Sequence, residues 1–170
     1  MSRSLAPSLL LSMPQLLDQN FSRTVILLCK HTEDGAFGLI VNRPLVTAGR
    51  DFEVWVGGPV EQERSWILVG SEESDDLPGV RVADGLRLST SPDLLGQLLG
   101  ADPPSNARVL FGYAGWGPGQ LEAELHASAW LIGDVDRDLI FNTPSDRMWE
   151  TAIRKLGADP AALQMSRGVH

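Results

Sequence analysis

A second cysteine is missing from this chain. Cys29 stands alone in the apolar run TVILLC, so no intramolecular disulfide can form. An unpaired cysteine among apolar neighbours reads as a buried, inert thiol of the kind a reducing compartment permits. Histidine is scarce as well: with only His31, His126 and His170, a protein-only zinc site would have to lean on carboxylates, and no metal is expected. No apolar run approaches the ~20 residues of a membrane-crossing helix. The short patch Leu9-Leu10-Leu11 is broken by Ser12 and Pro14 and lacks the cleavage site of a signal peptide. Basic charge is in deficit, with 14 Lys and Arg against 22 Asp and Glu, a net charge of -8 and a pI near 4.8. Without a basic run, direct nucleic-acid binding is disfavoured, because its nonspecific part comes from cations neutralising phosphates. These absences point to a cytoplasmic protein that does not enter the membrane.

What is present is an ordinary globular composition. The 170 residues, 43% hydrophobic and 21% charged, suffice for a domain that buries roughly 70% of its unfolded surface without metal or disulfide. No repeat or low-complexity linker divides the chain, so residues 1–165 read as a single domain and 166–170 as a flexible tail. Residues 5–13 read as a first strand, stopped by Pro14. The run 24–30 lacks alternation, the pattern of a strand buried on both faces. A polar turn over 31–35 joins it to a second apolar strand over 36–42, which predicts a β-hairpin. Further strands are expected at 54–56, 66–69, 109–111, 130–132 and 139–142, with edge strands at 80–82 and 86–88. The acidic run 71–78 reads as a solvated loop. Ser91-Pro92-Asp93 starts a helix that Gly100 stops, and Thr143-Pro144-Ser145-Asp146 repeats the signal before a helix ended by Gly157. Asp159-Pro160 begins a last short helix. Strands early and helices late make this an α+β chain, not a doubly wound parallel sheet.

The stretch that draws most attention is 108–126, RVLFGYAGWGPGQLEAELH. It reads as a strand-to-helix corner in which Gly115, Gly117 and Gly119 let a ligand approach the backbone, Trp116 packs over the turn and Gln120 opens the helix. It lacks the lysine and hydroxyl of a P-loop and the central serine of a nucleophile elbow. Glu122 and Glu124 already complement the helix dipole, so the simpler reading is structural, with Gly117 as N-cap and Pro118 at the first helical position. His31 beside Glu33 and Asp34 offers an acid/base group or a metal ligand, or, more simply, an ordinary turn. Asn42-Arg43-Pro44 and Gly57-Gly58-Pro59 are strand-end turns, and Arg43 carries the fork that holds a carboxylate or phosphate, or an internal clamp. Ser65, His126 and an aspartate make a triad only on paper, since no motif selects the serine. His31, Asn42, Arg43, Gly57, Gly58, Gly115, Trp116, Gly117 and Gln120 therefore make up one candidate binding surface. No catalytic residue, metal or cofactor is assigned, and the five tryptophans read mostly as core.

Four segments, SMPQLLDQNFSRTVILLCKHTEDGAFGLIVNRP (12–44), VGGPVEQER (56–64), FGYAGWGPGQLEAEL (111–125) and WLIGDVDRDLIFNTPSDRMWETAIRKLG (130–157), resemble in order and spacing the YqgE/AlgH family of bacterial proteins. The resemblance implies an α+β fold with a bifurcated, mainly antiparallel sheet folded into a pseudo-barrel and flanked by helices. About function it implies little, because the family is described as uncharacterised or as candidate transcriptional regulators, without an established reaction or cofactor. Gln19 departs from the proline or glycine usual after the aspartate. Ser65 and Val69 depart from the Arg-Gly…Leu-His pattern after GGPV, so no role of that histidine carries over. The expectation is a cytoplasmic binding or regulatory domain, non-catalytic, acting on an unidentified protein partner or small ligand. One alternative is transcriptional regulation by direct or indirect DNA binding, which the acidic charge and the missing helix-turn-helix oppose. The other is a hydrolase that uses His31 and nearby acids.

Overall fold

The computed structural model describes residues 4–13, 23–45, 54–70, 79–90 and 107–162. The strands are β1 (Ser8–Ser12), β2 (Val25–Thr32), β3 (Gly35–Ile40), β4 (Pro44–Leu45), β5 (Val54–Val56), β6 (Val60–Gly70), β7 (Val80–Ala83), β8 (Leu86–Ser89), β9 (Ala107–Trp116) and β10 (Trp130–Gly133). Three described helices lie in the C-terminal part: α1 (Gln120–His126), α2 (Arg137–Asn142) and α3 (Ser145–Lys155). The strands join into one open, mostly antiparallel sheet in the order β10-β1-β2-β3-β9-β6-β8-β7.

The sheet forks at β9. Along one edge of β9, Ala114–Trp116 pair with β3, whereas Val109, Leu110 and Phe111 pair in parallel with β5. Gly57 fills the wedge between the two branches, its N–H donating to the Phe111 carbonyl and its own carbonyl accepting from Ile40 N–H, each at 2.7 Å. A Cβ on Gly57 would fall 2.4 Å from the Gly112 carbonyl oxygen, and one on Gly58 2.1 Å from the Tyr113 carbonyl carbon. Main chain meets main chain at the fork, so only glycine fits there.

Both faces of the central strands are buried, which is why β1 and β2 read as continuous apolar runs. On one face Leu9, Leu11, Val25, Leu27, Leu39 and Leu110 pack under α2 and α3, which contribute Leu139, Ile140, Met148, Trp149, Ala152 and Ile153. On the other, Leu10, Ile26, Leu28, Ile40, Ala114 and Trp116 pack under α1 through Leu121. Burying Leu10, Ile26, Leu27, Leu28 and Ile40 completely is worth about 1.5–3 kcal/mol for each side chain relative to leaving it exposed. Helix α3 is tied down where Trp149 Nε1 donates to the Ser12 carbonyl at 2.8 Å, with the Arg23 guanidinium 5.3 Å over its ring.

Three expectations need correcting. Residues 139–142 lie in a helix, not a strand: Asp136 caps α2 by accepting from Leu139 N–H at 3.1 Å, and a four-residue apolar run cannot by itself decide between the two. The expected strands at 66–69 and 109–111 are parts of longer strands, β6 and β9. Gly117 is not the helix N-cap; that position belongs to Gly119, at φ 75°, a left-handed backbone that suits glycine. Gly115 and Trp116 consequently belong to β9, and the corner shortens to residues 117–119. The expected helix at 91–100, the acidic loop 71–78 and the tail fall outside the described residues.

Candidate functional site

The nine candidate residues fall into separate places. At one end of the β2–β3 hairpin, His31 pairs with Ala36 and Ala36 with Trp116, so His31 and Trp116 lie on one face beneath α1. Odd-numbered His31 shares this face with Ile26 and Leu28 because β2 carries a bulge: Leu28 pairs with Gly38 and Lys30 with Phe37, leaving Cys29 extra. One added residue reverses the alternation and re-aims everything after it. Asn42 and Arg43 sit at the far end of the hairpin, six residues along from His31 in register, about 20 Å at strand rise. Gly57 and Gly58 occupy the fork between the two groups.

Most of the polar candidates are already engaged. The His31 side chain, 5% exposed, accepts from Leu5 N–H at Nδ1 (3.0 Å) and places Nε2 2.5 Å from Glu122 Oε1. Asn42 accepts from Val25 N–H and donates to the Arg23 carbonyl, both at 3.0 Å, closing the hairpin end. Arg43 donates to Thr24 Oγ1 at 3.1 Å. At the corner, Gly117 N–H donates to Gln120 Oε1 at 2.9 Å, and Gln120 Nε2 donates to Glu124 Oε2 at 3.1 Å.

Glu124, Glu122, Trp130 and Leu5 organise this end of the molecule and were not among the candidates. Glu124 Oε1 accepts from two buried indoles, Trp116 Nε1 at 3.1 Å and Trp130 Nε1 at 2.8 Å. The two rings stand edge to face, 6.2 Å between centroids, a favoured aromatic geometry. Their available signal is a carboxylate on α1 four residues after Gln120, within reach of the two indole N–H donors. Trp116, at 7% exposure, is a wall of the core here.

On the opposite face, β1, β10, α2 and α3 enclose a groove of about 980 Å³. Leu9, Leu11, Leu139, Phe141 and Leu156 supply its apolar lining, and Asp134, Asp136, Asp138 and Lys155 are among its polar ones. Lys155 Nζ and Asp136 Oδ2 pair at 2.5 Å. Partial burial pushes the Asp136 carboxyl up, but Lys155 and the Leu139 and Asp138 N–H groups outweigh it and hold the carboxyl below its ordinary range. Asn142 donates to Asp138 at 2.8 Å, and Asp134 is exposed. Cys29 is in neither site; burial pushes its thiol up to about 12.

These features define an α+β protein built on a forked antiparallel sheet, whose corner polar groups clamp elements together. The family model described as AlgH-like matches residues 9–161. A UPF0301 protein of Myxococcus xanthus is 40% identical, with 99% of each chain covered. One of Ruegeria pomeroyi is 38% identical, covering 96% of this chain and 98% of that one. Among solved structures, the AlgH protein of Pseudomonas aeruginosa superposes with a TM-score of 0.76 at 31% identity over 96% of both chains. A Corynebacterium diphtheriae protein has a TM-score of 0.74 at 21% identity, covering 97% of this chain and 92% of that one, and so shares the fold. The chain belongs to the AlgH-like family.

Proposed function

We propose that this chain is a non-catalytic binding or regulatory domain of the cytoplasm, acting through contacts with a protein or small ligand held in the groove between α2, α3 and β10. The observation that carries this reading is that His31, the natural acid/base candidate, has both ring nitrogens engaged, whereas the groove offers a large concave surface. A general base needs a nitrogen within reach of the proton it removes. The groove combines an apolar floor with a few polar groups, the usual make-up of a ligand site. The lining sets Asp134, Asp136 and Asp138 against Arg137 and Lys155, which suits an occupant with an apolar body and polar groups. The net charge of -8 weighs against direct DNA binding. The cytoplasmic assignment rests on a single desolvated thiol and the absence, among the described residues, of a helix long and apolar enough to cross a membrane.

The test is capture from native lysate followed by mass spectrometry of retained proteins and small molecules, comparing wild type with Asp134→Lys/Leu156→Glu. Leu156 is 43% exposed and Asp134 is exposed, so the variant keeps its fold, checked by circular dichroism. A captured species that the variant loses is expected; an unchanged set contradicts the groove assignment. A His31→Ala comparison across a broad panel of hydrolase substrates tests the other half of the reading, and activity that vanishes only in that variant would overturn it.

A further inference from the structure

Residues 4–7 lie as a strap across the end of β2. Leu5 and Ala6 pack against the buried cluster under α1, which runs from Leu10, Ile26 and Leu28 to Trp116, Leu121 and Trp130. Leu5 is tied to the hairpin by its N–H, which donates to His31 Nδ1 at 3.0 Å. An accepting Nδ1 fixes the ring as the neutral tautomer with its proton on Nε2, directed at Glu122. A doubly protonated ring carries a donor on each nitrogen, so Nδ1–H would then face Leu5 N–H, donor against donor.

We propose that His31 is a proton-controlled latch for this strap: protonation at Nδ1 breaks the tie to Leu5, the strap lifts, and the part of the apolar cluster under α1 that Leu5 and Ala6 cover is uncovered. Glu122 makes protonation possible within the folded molecule. As the ring charges, the 2.5 Å contact between Nε2 and Glu122 Oε1 becomes an ion pair and compensates for the lost hydrogen bond. The groups facing the ring determine which contact yields. From α1 come Glu122 and, held by the two indoles, Glu124. Beside the ring β3 presents Ala36 and β9 presents Trp116, neither of them ionisable. The strap carries no ionisable side chain, and the bulge at Cys29 sends Lys30 to the opposite face with Phe37. The hairpin is held by its ladder and Trp116 by Glu124, whereas among the described residues the strap's polar tie to β2 is this one hydrogen bond, so the strap is the element that gives way.

The latch is tested by NMR on the full chain between about pH 8 and pH 5, the window in which imidazoles change charge. The readouts are the His31 ring nitrogens and amide exchange at Leu5, with Ile26 and Ile40 as controls. Corrected for intrinsic pH dependence, Leu5 exchange is expected to rise about tenfold, the equivalent of one lost hydrogen bond. The rise should coincide with Nδ1 protonation while the controls stay protected. In His31→Asn, whose carbonyl can accept from Leu5 without titrating, Leu5 protection is expected to be independent of pH. In Glu122→Gln the release should move to lower pH. The proposal is overturned if Leu5 stays protected beside a doubly protonated ring, if the ring does not protonate while the controls remain protected, or if His31→Asn releases Leu5 at the wild-type pH. The wild-type titration decides alone should His31→Asn fail to fold.

Discussion

Replacing Glu124 by alanine removes one carboxylate from beneath two tryptophans. Trp116 and Trp130 are 7% and 4% exposed, and each indole N–H donates to the same Oε1. Hydrogen bonds to an ionised acceptor contribute about 1.5–3 kcal/mol each, and a buried donor left unpaired costs about 1–3 kcal/mol. Glu124 itself is only half-buried, so water can reach part of the vacated space, and the effects of two donors on one acceptor are not additive. We expect a loss of about 3 kcal/mol, equivalent to a fall in Tm of roughly 6–12 °C for a chain of this size. Urea unfolding followed by tryptophan fluorescence measures it, and native emission should shift to the red as the indoles meet water. Glu124→Gln keeps one acceptor and should lose about 1 kcal/mol. A loss below about 0.5 kcal/mol for the alanine variant, within the usual range for surface positions, would refute the view that this carboxylate clamps α1 to the sheet.

Three further outcomes are expected. Gly58→Ala places a Cβ 2.1 Å from the Tyr113 carbonyl carbon and should destabilise the fold by about 3 kcal/mol or more; an unfolding midpoint near that of wild type would mean the fork can open. Because the Asp136 carboxyl is held below its ordinary range, its contribution is present above about pH 4 and fades as pH falls through the lower folded value. Asp136→Asn should therefore lose up to about 1 kcal/mol at neutral pH and converge on wild type in acid, and a constant gap across the pH range would contradict this. With its thiol pushed up to about 12, Cys29 should react with an alkylating reagent near pH 8 at least tenfold more slowly in the native protein than after denaturation; equal rates would show that the bulge leaves the sulfur solvated.

A continuous apolar run announced β2, because a strand covered on both faces needs no polar alternation. The Thr143-Pro144-Ser145-Asp146 signal marked α3 for a similarly local reason, since a helix start is written in adjacent residues. Long-range pairings were not legible: that Ile40 and Phe111 both bond to Gly57 follows from how β3 and β9 diverge, and the glycines at 57 and 58 suggested only turns. Residues 139–142 misled because their apolar run is too short to carry a period. For the candidate site, the corner was visible, but its occupants were not. Glu124 lies eight residues from Trp116 and six from Trp130, and only the packing of α1 brings the three together. The bulge at Cys29 that turns His31 toward α1 has no local signature, and the groove forms only where the consecutive elements β10, α2 and α3 meet the distant strand β1.

The measurement that bears most directly on the binding-domain account is a two-dimensional amide spectrum of the isotope-labelled protein, recorded before and after adding fractionated lysate. The account predicts a fraction that shifts the signals of Asp134, Val135, Asp138 and Leu156 around the groove and leaves those of residues 117–120 unmoved. Shifts confined to the 117–120 corner, or no shift with any fraction, would contradict it.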